Sequence, residues 1–325
     1  MRTPGRRVHA GLALAIAVTL AGCGADQSDV ATPNVEPTGV TASTTSLSTA
    51  PVTTEAHVAP PDLAAPVALS TETYGLTATL EQFREDEVAG KISVRVANGG
   101  DEPVVVETLR LAWPGLTETE AAVLDYPVFP GVRVGVTVPL GTAVCSSPPQ
   151  IDEPLPDVPI AAVATTAEGE VVFPVTDPAG ILARIYPRQC TAQAVEHAVG
   201  LTILDDFEDV STDPAEVRGT LRVERRAATG EVAVVGLHGS VLVTLGLVDE
   251  PGVLGADHDV VDVPIVATNN RCDAHAISES KKPYVFVADL EIDGVAVSYV
   301  ISPAQPGKDA LSAQVVGRCP EEIDP

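Results

Sequence analysis

The chain is expected to fold as an all-β protein, with two tandem β-sandwich domains, Ig-like in a loose sense, that arose by internal duplication and follow a disordered tether. Three observations support this. Polar and apolar residues alternate in short runs such as Lys91-Ile92-Ser93-Val94-Arg95-Val96 and Thr220-Leu221-Arg222-Val223-Glu224. That period belongs to a strand with one buried and one wet face. Turn sequences separate the runs, at Asn98-Gly99-Gly100, Glu168-Gly169, Thr229-Gly230 and Asp293-Gly294. Finally, the same features recur at a nearly constant offset, as a duplicated unit with small insertions would show.

In chain order, Gly75-Leu76-Thr77 opens a segment ending in Phe83, and Gly200-Leu201-Thr202 opens one ending in Phe207. Val136-Thr137-Val138-Pro139-Leu140 leads to Cys145 as Val261-Asp262-Val263-Pro264-Ile265 leads to Cys272. Residues 164–176 and 288–301 carry matching turns, and Cys190 and Cys319 close the two units. The runs 103–111, 132–138, 240–247 and 283–292 are rich in β-branched residues and read as further strands. No long amphipathic helix is expected. Thr117-Glu118-Thr119-Glu120 reads as a capping box on one short helix, and Asp177-Pro178 as the start of another. The units are placed at 67–195 and 196–325. The late cysteines, with no central Trp between them, depart from an antibody-type domain.

The N-terminal region reads differently. Arg2, Arg6 and Arg7 precede an uncharged stretch over 10–22 that is too short to span a bilayer, which is the layout of a secretory signal. It ends in Leu20-Ala21-Gly22-Cys23. These residues resemble the lipobox of bacterial lipoproteins. The resemblance implies cleavage after residue 22, acylation of the Cys23 thiol and a lipid-anchored location on the extracytoplasmic face of a cell membrane. Residues 23–66, rich in Thr, Ser, Pro and Ala without helical or strand period, read as a disordered tether. An exported chain lives where disulfides persist, and the repeat favours Cys145–Cys190 and Cys272–Cys319, one within each unit. Cys23 is left as the odd thiol.

The formal charge is −26, and becomes −29 once residues 1–22 are removed. Such a surface repels nucleic acid, so no nucleic-acid partner is expected; it suits solubility or a cationic partner. Aromatic residues make up only 3% of the chain, which argues against stacking platforms for sugars or bases.

No nucleophile elbow, phosphate loop, HExxH or CxxC motif is present. The most suggestive cluster is Arg271-Cys272-Asp273-Ala274-His275 followed by Glu279, Lys281 and Lys282. Asp273, His275 and Glu279 are candidate metal ligands, because His275 and Glu279 would share a face if the segment were helical. The plainer reading is a polar loop in which Asp273 caps a turn. Two acidic runs, Asp205-Asp206-Phe207-Glu208-Asp209 with Asp213 and Asp257-His258-Asp259 with Asp262, are candidate Ca²⁺ sites without the EF-hand spacing. Arg222, Glu224, Arg225 and Arg226 read as a charged strand edge, and Trp113 as a packing residue. The leading expectation is a non-catalytic envelope lipoprotein that binds a protein or cell-wall partner or serves a structural role. The alternatives are a metal-dependent or hydrolytic enzyme using residues 271–282, and an extracytoplasmic ion or small-molecule binder.

Overall fold

A computed structural model of the chain describes residues 61–212, 215–249 and 251–319. The expected leader, Cys23, the expected tether up to residue 60 and Asp213 lie outside the described residues.

The first half comprises β1 (Leu76–Glu81), α1 (Arg84–Val88), β2 (Lys91–Asn98), β3 (Val104–Ala112), β4 (Ala122–Val128), β5 (Arg133–Pro139), β6 (Ala161–Thr166), β7 (Gly169–Thr176) and α2 (Ile181–Ala198). The second comprises β8 (Val199–Ile203), β9 (Glu208–Thr212), β10 (Ala215–Arg225), β11 (Val232–His238), β12 (Val243–Leu247), β13 (Gly252–Leu254), β14 (Val260–Asn269), α3 (Ala274–Glu279), β15 (Phe286–Ile292), β16 (Val295–Ile301) and α4 (Gln305–Gln314).

The pairings repeat. In the first half β1-β2-β5 lie antiparallel, as do β4-β3-β6-β7, and parallel pairing of β1 with β7 joins the two layers into one seven-stranded sheet; in the second, β8-β10-β14 and β13-β11-β15-β16 belong to separate sheets. The fold is therefore all-β, a tandem pair of two-layered sandwiches. Each has its own core. Leu76, Ile92, Leu109 and Phe173 belong to the first, and Leu221, Leu254, Ile265 and Phe286 to the second, all at most 1% exposed.

Strand sequences explain these cores. Leu76, Ala78 and Leu80 alternate inward along β1, and Ile92, Val94 and Val96 along β2. In β3, Val104 and Val106 face in, but so do Leu109 and Leu111, which have the opposite parity. The register shift between Val106 and Thr108 reconciles them, since an extra residue flips every later side chain to the other face. The β15–β16 hairpin turns on Asp293 and Gly294, with φ of 51° and 83°. Positive φ at both central residues is the hairpin geometry that Asp-Gly accepts.

Three expectations are corrected. Residues 117–120 form no helix; Thr117 instead pairs with Thr142, its N–H donating to the Thr142 carbonyl at 2.8 Å and its hydroxyl accepting from the Thr142 N–H at 2.9 Å. A long helix does exist. α2 has 18 residues, and Leu182, Tyr186, Cys190 and Ala194 bury one face at intervals of four. Its start is the expected one, with the Asp177 carboxylate accepting from the Ile181 and Leu182 N–H groups at 2.8 Å each. Finally, β10, which carries Arg222, Glu224 and Arg225, is interior to its sheet, between β14 and β8. Its charges therefore cross-link rather than guard an edge. Arg222 forms a fork with Asp262 directly opposite, at 2.8 Å for both contacts. The Arg225 guanidinium donates to the carbonyls of Ala228, Gly230, Leu254, Gly255 and His258.

Both disulfides join the loop after the fifth strand of the repeat to the C-terminal helical segment: Cys145–Cys190 with Cα atoms 5.5 Å apart and Cys272–Cys319 with Cα atoms 5.2 Å apart. Replacing both Cys145 and Cys190 by Ala removes a closure of 45 residues and should cost roughly 4 kcal/mol in a denaturant titration on the chain-entropy argument.

Candidate functional site

A groove of about 700 Å³ lies between α2 and β16 and joins the two sandwiches. Pro187, Arg188 and Thr191 form its helical wall, and Ala296, Ser298 and Val300 lie along its strand wall. At its inner end the Tyr299 hydroxyl donates to Glu196 Oε1 at 2.9 Å. Burial, with the Glu196 carboxylate beside it, pushes the Tyr299 phenol up to about 12, so it stays a neutral donor.

Next to this groove, on the outer face of the sheet, three strands bring His238, Asp289 and Ser298 together. Asp289 lies 2.5 Å from His238 Nε2 and accepts from the Ser298 hydroxyl at 2.6 Å. The three residue types are those of a hydrolytic triad, but their order is wrong for one. The carboxylate sits in the middle and takes the serine proton as its own hydrogen bond, so no imidazole touches the hydroxyl that it would have to activate. Hydrogen bonds from Ser298 and His238 hold the Asp289 carboxyl below its usual value.

A buried polar knot lies beneath the groove, where the loop after β5 meets α2. Glu153 is 3% exposed, and its carboxylate accepts from the Ser146 N–H at 2.9 and 3.0 Å, the Ser146 hydroxyl at 2.7 Å and the Tyr186 hydroxyl at 3.1 Å. Burial, reinforced by this carboxylate, pushes the Tyr186 phenol well above its usual range. Gln189 and Gln193 on α2 hold the Ala143 N–H and carbonyl, at 2.6 and 2.8 Å. Trp113 is 5% exposed and packs edge-on against Tyr186, with ring centroids 5.5 Å apart. It also forms part of a smaller cavity of about 240 Å³ that Ala64 and Ala65, from the C-terminal end of the expected tether, help to line.

The structure disperses the ligands expected from sequence. Among the described residues, the one group of three or more His, Cys, Asp or Glu whose ligand atoms lie within 4.8 Å of one another is Cys145, Glu153 and Cys190, and its two sulfurs are already bonded to each other. Asp273 does cap a helix. Its Oδ1 accepts from the Ala276 N–H at 2.8 Å, while Oδ2 pairs with Arg271 at 2.9 Å. His275 and Glu279 are exposed on α3 and do not converge with it. Lys282 instead reaches Glu87 of α1 in the first sandwich, at 3.1 Å. The acidic runs are divided in the same way: Asp206 accepts from Thr220, Asp209 pairs with Arg318 at 2.6 Å, and Asp262 is held by Arg222.

Sequence reading missed Glu153, Tyr186 and the His238–Asp289–Ser298 cluster, because Glu153 and Tyr186 are 33 residues apart and His238 and Asp289 are 51 apart, which leaves no local spacing. The one available signal was the interval of four that places Tyr186 and Cys190 on one helix face.

Two measurements follow. Glu153→Ala leaves the Ser146 and Tyr186 donors unpaired in the interior, and should lower unfolding free energy by about 1–3 kcal/mol or more, read by denaturant titration. Folding lowers the Asp289 carboxyl from 3.8. Its contribution is therefore present above about pH 4 and lost as pH falls through the folded value. Asp289→Asn should melt below the parent protein at pH 6, and the gap should close as both are taken below pH 4.

Comparison with known proteins adds three distant likenesses. No family model matches the chain, and no curated protein does. Among solved structures, the chain is similar to the D0–D1 domain of intimin at 11% identity, covering 70% of this chain and 96% of that one, with a TM-score of 0.18. A protein of unknown function from Porphyromonas gingivalis W83 matches at 13%, covering 70% and 99%, with a TM-score of 0.16. The B domain of a biofilm-associated protein matches at 8%, covering 74% and 90%, with a TM-score of 0.19. Superposition at this level assigns no function, and the reading below rests on the chain's own residues.

Proposed function

We propose that the chain is an exported lipoprotein, anchored through a lipid on Cys23 and a tether over residues 23–66, that presents its two sandwiches at the cell envelope as a non-catalytic binding or structural element. The supporting observation for the non-catalytic role is how the polar side chains are used. Asp273, Asp262, Arg222, Arg225 and Glu153 each bind backbone or cross-strand partners, so they hold the frame rather than face a common point. The anchor rests on Leu20-Ala21-Gly22-Cys23 behind a basic, then apolar, leader. The thiolate is the group that takes an acyl chain, and two or three chains hold a protein firmly where one binds marginally.

Cys23→Ser tests the anchor. In the host bacterium the parent protein should fractionate with membranes, and its N-terminal peptide should carry an acylated Cys23 in mass spectrometry. The variant should lose both properties. An unmodified Cys23 in the membrane fraction, or a mature chain starting elsewhere, would refute it.

A further inference from the structure

We propose that β16 is a docking edge, and that its occupant is an extended, basic segment of a partner protein that adds as one more strand in the groove between β16 and α2. The proposal rests on the reading of this chain as a binding protein, and it names the site and the partner's chemistry.

The duplication supplies an internal control. In the first sandwich the strand equivalent to β16, β7, is closed on its free side by parallel pairing with β1, Ala78 opposite Val175 and Thr79 opposite Thr176. In the second, among the described residues, β8 pairs with β10 alone and β16 with β15 alone. Register accounts for the difference. Leu76 lies opposite Asn98, seven positions beyond the residue opposite Pro139; Leu201 lies opposite Val223, only three beyond the residue opposite Pro264. The first strand of the second sandwich has slipped by an even number of residues. Its inward face is kept, and its pairing with the last strand is lost.

The open edge also lacks the usual protection. Natural sheets blunt free edges with charge, proline, bulges or brevity. In the first sandwich β4 carries Asp125 and Pro127, and β5 carries Arg133 and Pro139. In the second, β13 is three residues long. Strand β16, Val-Ala-Val-Ser-Tyr-Val-Ile, has seven residues, no charge, no proline and an unbroken register, with Val295 and Val300 exposed by 49% and 59%. Such a strand invites pairing.

The groove has the shape that pairing needs. Residues of both parities line it, Ala296, Ser298 and Val300 together with Val297 and Tyr299, and Val287 of β15 lies beside Val300, so the groove takes in the edge of β16 and the sheet face next to it. In a hairpin with a two-residue turn the flanking pair, Ile292 and Val295, exchanges hydrogen bonds. Alternation from there turns the N–H and C=O groups of Ala296, Ser298 and Val300 to the open side. An extended peptide laid between an edge strand and a helix takes its affinity from such main-chain groups. Charge selects the occupant. The groove wall holds Asp152 and Glu196 against Arg188, on a chain of formal charge −26. A second copy would bring the same negative field, whereas a lysine-bearing strand is attracted.

The test uses the purified full chain with two fluorescent nonapeptides of alternating pattern, Lys-Val-Thr-Val-Lys-Val-Thr-Val-Lys and the same sequence with Glu for Lys. Anisotropy should show binding of the lysine peptide, weakened by added salt, and none of the glutamate peptide. Hydrogen exchange should slow over residues 295–301. Val300→Pro deletes an outward N–H at an edge position where proline is tolerated, and should weaken binding about tenfold with an unchanged melting temperature. Exchange in the parent protein decides the matter if that variant does not fold. Equal binding of both peptides, protection outside 295–301, absence of binding, or occupation of β16 by a second copy of the chain would overturn the proposal. Those results leave the Cys23 anchor intact, and an unmodified Cys23 leaves this edge intact.

Discussion

One helix belongs to two cores, and the rest of the molecule is arranged around that constraint. Ile181, Leu182, Tyr186 and Cys190 of α2 are buried in the first sandwich, while Val195, one turn further on, is buried in the second. β8 begins at Val199, directly after the last helical residue. Neither sandwich can shift against the other without exposing part of this apolar face, which would cost about 25 cal/mol for each Å² returned to water. The Lys282–Glu87 pair and the Tyr299–Glu196 hydrogen bond add polar ties between the halves, but an exposed ion pair such as Lys282–Glu87 contributes little by comparison.

Buried polar groups make the junction specific. Glu153 brings a carboxylate into the interior with no cation beside it among its hydrogen-bond partners, which is tolerable because three neutral donors surround it. That geometry fixes the loop after β5 against one face of α2, and the Cys145–Cys190 bond then closes a structure that hydrogen bonds already define. The second sandwich reaches the same end by other means. Asp273, following Cys272 as Ser146 follows Cys145, caps α3, and Arg225 gathers five carbonyls from the β10–β11 and β13–β14 connections. Duplication preserved the strand framework and the disulfide, and left the polar details free to diverge.

Divergence is also what distinguishes the surfaces. A slip of the first strand leaves β16 without the parallel neighbour that β7 retains, and an uncharged strand then faces a groove whose far wall is the shared helix. The groove thus exists because two copies are fused through α2; a single sandwich would lack its helical wall.

The sequence by itself determined the layers, the repeat and the cysteine pairs. Alternation in segments such as 91–96 and 220–224 is a local pattern, and each inward side chain is placed by its immediate neighbours. The lipobox-like run Leu20-Ala21-Gly22-Cys23 and the acidic composition are local signals as well. What the tertiary structure decided depends on distant partners. The helix over 181–198 was hidden by Pro187 and by a buried face that includes a cysteine and a tyrosine. Arg222 read as an edge charge until pairing placed β10 inside its sheet. Asp273, His275 and Glu279 looked alike as ligands, yet Asp273 turned to Ala276 and Arg271 while the other two faced solvent. Spacing along the chain lists the polar groups that exist, and only folding decides which of them meet, because a carboxylate in a packed structure goes to the nearest donors of any strand.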